Sequence, residues 1–211
     1  YGVDPTLADG PGDEEFFTSE LAGRIRKTEG PADCIVANNV LAHIDDIDDV
    51  MYGIKTLLAD DGILVFEVQY LPTQLQKSLW GNIYAEHLDY WHLRPLGRYL
   101  RRFGLYLFDA DPINMHGGSI RCFAGSQKLF PTTRLNILMA EEETIDVTRF
   151  QQGLEIERER ARWFGLEGKR SVGYGCPAKL TTMMYGLGLD ASHIMAVGDD
   201  NEQKQGRYTP G

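Results

Sequence analysis

The sequence predicts an α/β fold, a larger sheet domain followed by a smaller α/β domain. Three observations lead to that expectation. Short apolar runs at 32–38 and 63–68 alternate with segments whose apolar residues recur at helical spacing. Polar residues suited to ligand contact, Asp4, Asn38 and Gln69, stand at or just past three strand ends, where open α/β sheets bind their ligands. After residue 145 the strand–helix–strand order returns on a smaller scale.

Taken in order, Tyr1-Gly2-Val3-Asp4-Pro5 reads as the tail of a strand ending in an acid. Phe17, Leu21 and Ile25 then mark a helix, with Thr18 or Ser19 available as its cap and Gly30 as its stop. The run 32–38 suits a buried parallel strand. Ile47, Val50, Ile54, Leu57 and Leu58 form the next helical face, ended near Asp60-Asp61-Gly62, and 63–68 is another strand. Leu96, Leu100 and Phe103 place a helix after Pro95 that Gly104 stops. Strands at 105–109 and 119–123, joined by a glycine-containing loop, complete a first domain over 1–125. Residues 126–144 lack steady periodicity and read as a connector. The second domain, 145–211, opens with a charged helix in which Phe150, Leu154 and Trp163 lie among Arg158, Glu159, Arg160 and Arg162. A strand and turn at 171–175, a helix through Met183 and Met184, and a strand at 194–197 follow.

A length of 211 residues allows one full core or parts of two domains. Apolar content of 43% and charged content of 25% are ordinary for a globular protein. The net charge of -10, with no basic stripe, argues against wrapping nucleic acid. The acidic clusters at 45–49 and 141–143 read as solvated helix-start and linker charges. No apolar run approaches the roughly 18 residues of a membrane span, and the N-terminus shows no basic-then-apolar signal pattern, so no membrane partner is expected. Cys34, Cys122 and Cys176 are far apart and form no CxxC pair, so neither a zinc site nor a disulfide framework is expected, and a reducing cytoplasm fits best.

The richest stretch chemically is Tyr84-Ala85-Glu86-His87, just past a strand. An imidazole titrating near neutrality, a carboxylate to orient it and a phenol to donate to an oxyanion are the groups that remove a proton beside a ketone. Asp4, at a strand end, either accepts ribose hydroxyls or makes an Asp-Pro turn. Asn38 and Asn39 either read a cofactor's edges or cap the next helix, and His43 points to whatever lies above the sheet. His116-Gly117-Gly118-Ser119 either approaches an anion or sugar closely or is a tight turn. The turn at 173–175, with Tyr174 and the following Lys179, resembles a phosphate site at a helix start, although it is not a P-loop. Asp199-Asp200-Asn201 offers ribose or diphosphate contacts or a plain turn. His92 and His193 are assigned to structure or surface.

In sequence order these motifs resemble the S-adenosylmethionine-dependent C-methyltransferases of nucleotide-linked keto-deoxysugars. The resemblance rests on 36–43, the Tyr84/Glu86/His87 run, His116-Gly117-Gly118-Ser119-Ile120-Arg121, 173–179, and Asp199-Asp200-Asn201 through Arg207 to Gly211. Ala85 stands where the family usually carries a further histidine. The resemblance implies a Rossmann-like class I methyltransferase sheet, S-adenosyl-L-methionine as cofactor and a nucleotide sugar as substrate. It further implies that His87 is the base, held in its tautomer by Glu86, with Tyr84 stabilising the enolate or positioning the sugar and His43 as a second candidate for contacting the substrate. Asp4, Asn38 and Asn39 fall on the cofactor side. His116, Gly117, Ser119, Tyr174, Lys179, Asn201 and Arg207 fall on the substrate side. The family also has an N-terminal zinc-binding domain and a first strand with a glycine loop, which are expected upstream of Tyr1. An O- or N-methyltransferase, or a non-catalytic nucleotide-sugar-binding protein, is the alternative that the Tyr84/Glu86/His87 set disfavours.

Overall fold

Helices and strands are interspersed along the chain, and the computed structural model describes residues 1–7, 10–163 and 171–209. Strands β1 (Gly2–Val3) and β2 (Gly12–Asp13) precede helix α1 (Ser19–Thr28), β3 (Ala32–Asn38), α2 (Ile47–Leu57) and β4 (Leu58–Gln69). Then come α3 (Leu71–Gln76), α4 (Leu93–Arg101), β5 (Tyr106–Ile113), β6 (Ser119–Gly125) and α5 (Thr133–Glu141). Helix α6 (Val147–Trp163), β7 (Ser171–Tyr174), α7 (Leu180–Leu187) and β8 (Ile194–Gly198) complete the order. Two compact units result: Tyr1–Tyr70 with Asp89–Glu143, and Leu71–Leu88 with the described residues from Thr144 onward.

The first unit is built on a sheet of order β3-β4-β6-β5, with β3 parallel to β4 and the other pairs antiparallel. A parallel pair needs a crossover, and α2 supplies it. Leu64, Phe66 and Val68 of β4 and Ile120, Cys122 and Ala124 of β6 share one buried core with Val50, Met51 and Ile54 of α2 and Leu93, Leu96 and Leu100 of α4. Burial pushes the Cys122 thiol pKa well up, which keeps it protonated.

Helix α1 is capped by Thr18, whose side chain accepts the Leu21 amide at 3.1 Å. It is tied to α2 at both ends. Asp49 accepts the Ser19 amide at 3.0 Å, and Arg26 donates to the Thr56 carbonyl at 2.8 Å. The 45–49 acids are helix-start charges, as expected: Asp46 caps α2 by accepting the Asp49 amide at 3.0 Å. Gly104, at φ +70°, follows α4 and lets the Leu105 amide turn back to the Leu100 carbonyl at 3.1 Å.

The run 32–38 forms the expected parallel strand and, among the described strands, pairs with β4 alone, with Cys34 exposed and Val36 62% exposed beside a cleft of about 530 Å³. Two expectations need correction here. Residues 126–144 are not a plain connector. They carry α5, capped by Thr132 and anchored through buried Leu135, with Leu138 and Met139 against the same core. The 141–143 acids are not all solvated either. Glu142 is 6% exposed and accepts the Leu93 amide at 2.6 Å, the Arg94 amide at 3.2 Å and the Tyr70 hydroxyl at 2.9 Å. Burial and that carboxylate push the Tyr70 pKa well up. His92 lies 3.1 Å from the same carboxylate, a structural position as expected.

In the second unit β7 pairs in parallel with β8, Val172 opposite Ala196 and Tyr174 opposite Gly198. Helix α6 packs on α3 and α7, and Arg158 donates to the Gly186 carbonyl at 2.6 Å. Residues 71–88, assigned from sequence to the first domain, belong to this unit.

Two consequences are measurable. A Cβ added at Gly186 would lie 2.6 Å from the Trp80 ring. Gly186→Ala should therefore destabilise the protein by about 1–3 kcal/mol in denaturant titration. Asp109 is partly buried, which raises its pKa, but hydrogen bonds from Arg134 at 2.6 Å and from Thr132 at 2.5 Å outweigh that and lower it. A depressed carboxylate stabilises above its unfolded pKa, and the benefit is lost as pH falls through the folded value. Asp109→Asn should thus cost about 1–3 kcal/mol near neutral pH, a difference that narrows in acid below the ordinary carboxylate range.

Candidate active site

Residues 71–88 fold as a series of tight turns. Helix α3 is followed by a turn at Lys77 and Ser78, the latter at φ +53°, and the Leu79 amide donates back to Gln74 at 2.9 Å. The Ile83 amide donates to Trp80 and the His87 amide to Tyr84, each at 3.0 Å. This coiling buries His87 to 7% exposure and sets its Nδ1 2.8 Å from the Asn82 carbonyl oxygen. A carbonyl only accepts, so Nδ1 carries a proton, and in the neutral form of the ring the lone pair is then on Nε2.

The Tyr84 and His87 ring centres are 4.2 Å apart, tilted by 46°. Loss of solvent, with the negative charge of Glu86 adding to it, raises the Tyr84 pKa. The phenol therefore stays protonated at neutral pH and can donate. Glu86 itself is exposed. At Nδ1 a tautomer-setting bond is made with the Asn82 carbonyl, a group every residue owns and no motif reveals. A proton acceptor and a proton donor thus stand side by side.

In the first unit, the registers Asn38 opposite Glu67 and Gln69 opposite Ser119 bring the asparagines and the 114–118 turn to one end of the sheet. Asn39 takes φ +54° and donates its amide to the Glu67 carbonyl at 2.8 Å. Neither asparagine caps a helix: the short turn at Leu41–His43 starts from Val40 without a side-chain cap, and Asp46 caps α2. Asn38 and His43 are exposed.

Asp4 accepts both the amide and the hydroxyl of Thr6, at 2.7 and 2.6 Å, so the turn reading holds. Those bonds keep its carboxyl below the usual range, ionised and exposed at the end of β1. Val3 and Ala37 both line the 530 Å³ cleft, and Asp4 and Asn38 each follow one of them by a single residue. A carboxylate for ribose hydroxyls and an amide for a base or amino-acid edge fit S-adenosylmethionine.

The His116 loop is a tight turn. His116, Gly117 and Gly118 have φ of +50°, +88° and +146°, which the two glycines adopt without strain. The Gly118 amide and Ser119 hydroxyl both donate to the Met115 carbonyl, at 2.8 and 3.1 Å. Ser119 is buried and shapes the turn, while His116 and Gly117 face solvent. Nearby, buried Glu67 accepts Arg121 Nε at 2.7 Å across the β4–β6 pair. Sequence reasoning passed over Glu67 because it sits on the alternate face of an apolar strand.

At the β7 and β8 ends the Gly175 amide donates to Gly198 and the Cys176 amide to Asp199, both at 2.7 Å. The 173–175 phosphate cradle is therefore corrected: these amides are spent on a carbonyl and on an acid. Asp199 also accepts Asn201 at 2.9 Å and Lys204 at 3.4 Å, making it the organiser of the loop. Tyr174 donates to Asp200 at 2.7 Å, and the Asn201 side chain accepts the Gln203 amide at 2.9 Å. Lys179, before α7, and Arg207 are exposed cations. Pro210 and Gly211 of the last motif lie outside the described residues.

Tyr84, Glu86 and His87 are thus brought together in the second unit, which also carries Tyr174, Lys179, Asn201 and Arg207. Asp4, Asn38, Asn39, His43, His116, Gly117 and Ser119 belong to the first. Among the described residues no three His, Cys, Asp or Glu side chains are grouped to hold a metal ion, and no helix is long and apolar enough to cross a membrane.

Residues 1–109 match the family model of a methyltransferase domain, and residues 114–211 match that of a C-methyltransferase C-terminal domain. Over its whole length the chain is 30% identical to the C-methyltransferase NovU of Streptomyces niveus and covers 55% of it. The chain therefore spans about half the length of that curated relative. Among solved structures, a SAM-dependent methyltransferase from Anabaena variabilis is 12% identical with a TM-score of 0.42, over 58% of this chain and 60% of that one. An O-methyltransferase family protein from Burkholderia thailandensis is 13% identical with a TM-score of 0.40, over 56% of this chain and 36% of that one. On the matches that together span nearly all of it, the chain belongs to the methyltransferase-domain family, in the form that carries a C-methyltransferase C-terminal domain.

Proposed function

We propose that the intact protein transfers a methyl group from S-adenosyl-L-methionine to the carbon beside the ketone of a nucleotide-linked keto-deoxysugar, in the cytoplasm. The bond from His87 Nδ1 to the Asn82 carbonyl carries this reading, because it fixes the tautomer whose lone pair is on Nε2 in a ring beside the Tyr84 phenol. The C-methyltransferase C-terminal domain and the name of the relative support it.

S-adenosylmethionine, when bound, supplies an electrophilic methyl group. His87 takes the proton from the carbon beside the ketone, and Tyr84 donates a hydrogen bond to the enolate oxygen. Glu86 helps hold Tyr84 protonated, as its effect on the phenol supports. Asp4 takes the cofactor's ribose hydroxyls, with Asn38 and Asn39 on its amino-acid or base edge. His43, His116 and Gly117 contact the sugar, with Ser119 fixing their loop. Tyr174, Asn201 and the exposed cations Lys179 and Arg207 hold the nucleotide and its diphosphate.

Proton removal can be read without methyl transfer. With the demethylated cofactor bound, the protein should exchange the substrate's α-hydrogen in heavy water, followed by NMR. His87→Asn should slow that exchange and methyl transfer alike by about a hundredfold to ten-thousandfold while both ligands still bind. Undiminished exchange in His87→Asn would move the base elsewhere. For the cofactor side, Asp4→Ala should weaken S-adenosylmethionine binding by about tenfold or more in calorimetry and leave the nucleotide sugar's affinity unchanged. Equal cofactor affinity in variant and parent would remove Asp4 from the site.

A further inference from the structure

The chain passes between its two units at three places, after Tyr70, after Leu88 and after Glu143. One buried side chain of the first unit, Glu142, engages residues flanking the first two and itself flanks the third. Its Oε1 accepts the Tyr70 hydroxyl at 2.9 Å, on the last residue before the first crossing. The same oxygen accepts the Leu93 amide at 2.6 Å, and Oε2 accepts the Arg94 amide at 3.2 Å, both shortly after the second crossing. His92 Nδ1 lies 3.1 Å from Oε2. Glu142 itself stands one residue before the end of the third segment. Around it, Tyr70 bridges to Trp91 in the backbone ladder, and Arg94 pairs with Glu143 at 2.6 Å while donating to the Met139 carbonyl at 3.0 Å.

The chemistry explains why a carboxylate is used. The first amides of α4 need an acceptor, and His92 at its N-cap supplies none from its own side chain. A residue 49 positions along the chain supplies it instead. A buried carboxylate is costly unless donors surround it, and here a phenol, two helix-start amides and an imidazole do so. A cap taken from a neighbouring residue would satisfy α4 equally well. Only a distant one also fixes where the 71–88 excursion leaves and re-enters the sheet unit.

We infer that Glu142 is a positioning residue: its carboxylate clamps both feet of the excursion that carries Tyr84, Glu86 and His87. Its bearing on catalysis rests on the reading of His87 as the base. Without the clamp the feet keep the Tyr70–Trp91 bridge and their packing in the core but lose the side chain that joins them, which loosens the excursion that holds the imidazole.

The test uses the intact protein with Glu142→Ala, Glu142→Gln, Tyr70→Phe and, as a control, Leu135→Ala, a core change in the neighbouring helix. Hydrogen–deuterium exchange of peptides covering 71–88 is compared with that of β4 and β6, alongside kcat and KM. Glu142→Ala should raise exchange in 71–88 by about tenfold or more relative to Leu135→Ala at matched thermal stability. Its kcat should fall by up to about a hundredfold with KM for S-adenosylmethionine unchanged. Glu142→Gln, which keeps an acceptor for the Leu93 amide, should restore part of both. Tyr70→Phe, which removes one donor and keeps the ring in the core, should loosen 71–88 less. Exchange in 71–88 that matches the Leu135→Ala control overturns the clamp. Loosening of 71–88 at full kcat upholds the clamp and overturns His87 as the base, so the two failures are distinguishable.

Discussion

Strand β4 must satisfy a parallel neighbour on one side and an antiparallel neighbour on the other, and the first unit is arranged around that demand. Its pairing with β3 puts two carboxyl ends at one edge, and its pairing with β6 brings the β5–β6 turn to the same edge. Asn38, Asn39, Gln69 and His116 are near one another for that reason and not because of any local motif. The register cannot slip. A shift of one residue would turn Leu64, Phe66 and Val68 out of the core and bring Glu67 into it. The Asn39 amide on the Glu67 carbonyl and the Tyr70 amide on the Gly118 carbonyl, at 2.8 and 3.4 Å, close the ladder at the edge that carries the candidate ligand contacts.

Where a feature depends on residues close in sequence, it was legible. The spacing of Ile47, Val50, Ile54 and Leu57 gave α2, Thr18 gave the start of α1, and Gly104 gave the stop after α4. The Tyr84/Glu86/His87 run stood out because its chemistry lies within four positions. What was hidden depends on distant partners. An acidic triplet reads as solvated charge, and only tertiary packing shows that Glu142 meets four donors. Helix α5 rests on Leu135, Leu138 and Met139, an i, i+3, i+4 set too short to stand out in a polar segment.

The candidate base shows the same division. The imidazole was found from the sequence, but its working tautomer is set by a backbone carbonyl five residues earlier. At the β7–β8 end a strand, a glycine turn and a lysine suggested bound phosphate, while the folded chain places Asp199 on the amide that phosphate would have used. Glycine-rich turns at strand ends are ambiguous for this physical reason. Their exposed amides attract an anion from solution or an acid from the protein, and only the fold decides which arrives first.

The central claim is that the new bond joins carbon to carbon. The most direct measurement supplies the intact protein with S-adenosylmethionine carrying a ¹³C methyl group and a nucleotide-linked keto-deoxysugar enriched in ¹³C throughout the sugar, and records the product's carbon spectrum. A one-bond carbon–carbon coupling between the transferred methyl and the sugar carbon beside the ketone is the predicted result. A methyl carbon with no such coupling, at the shift of a methoxyl or N-methyl group, would contradict it.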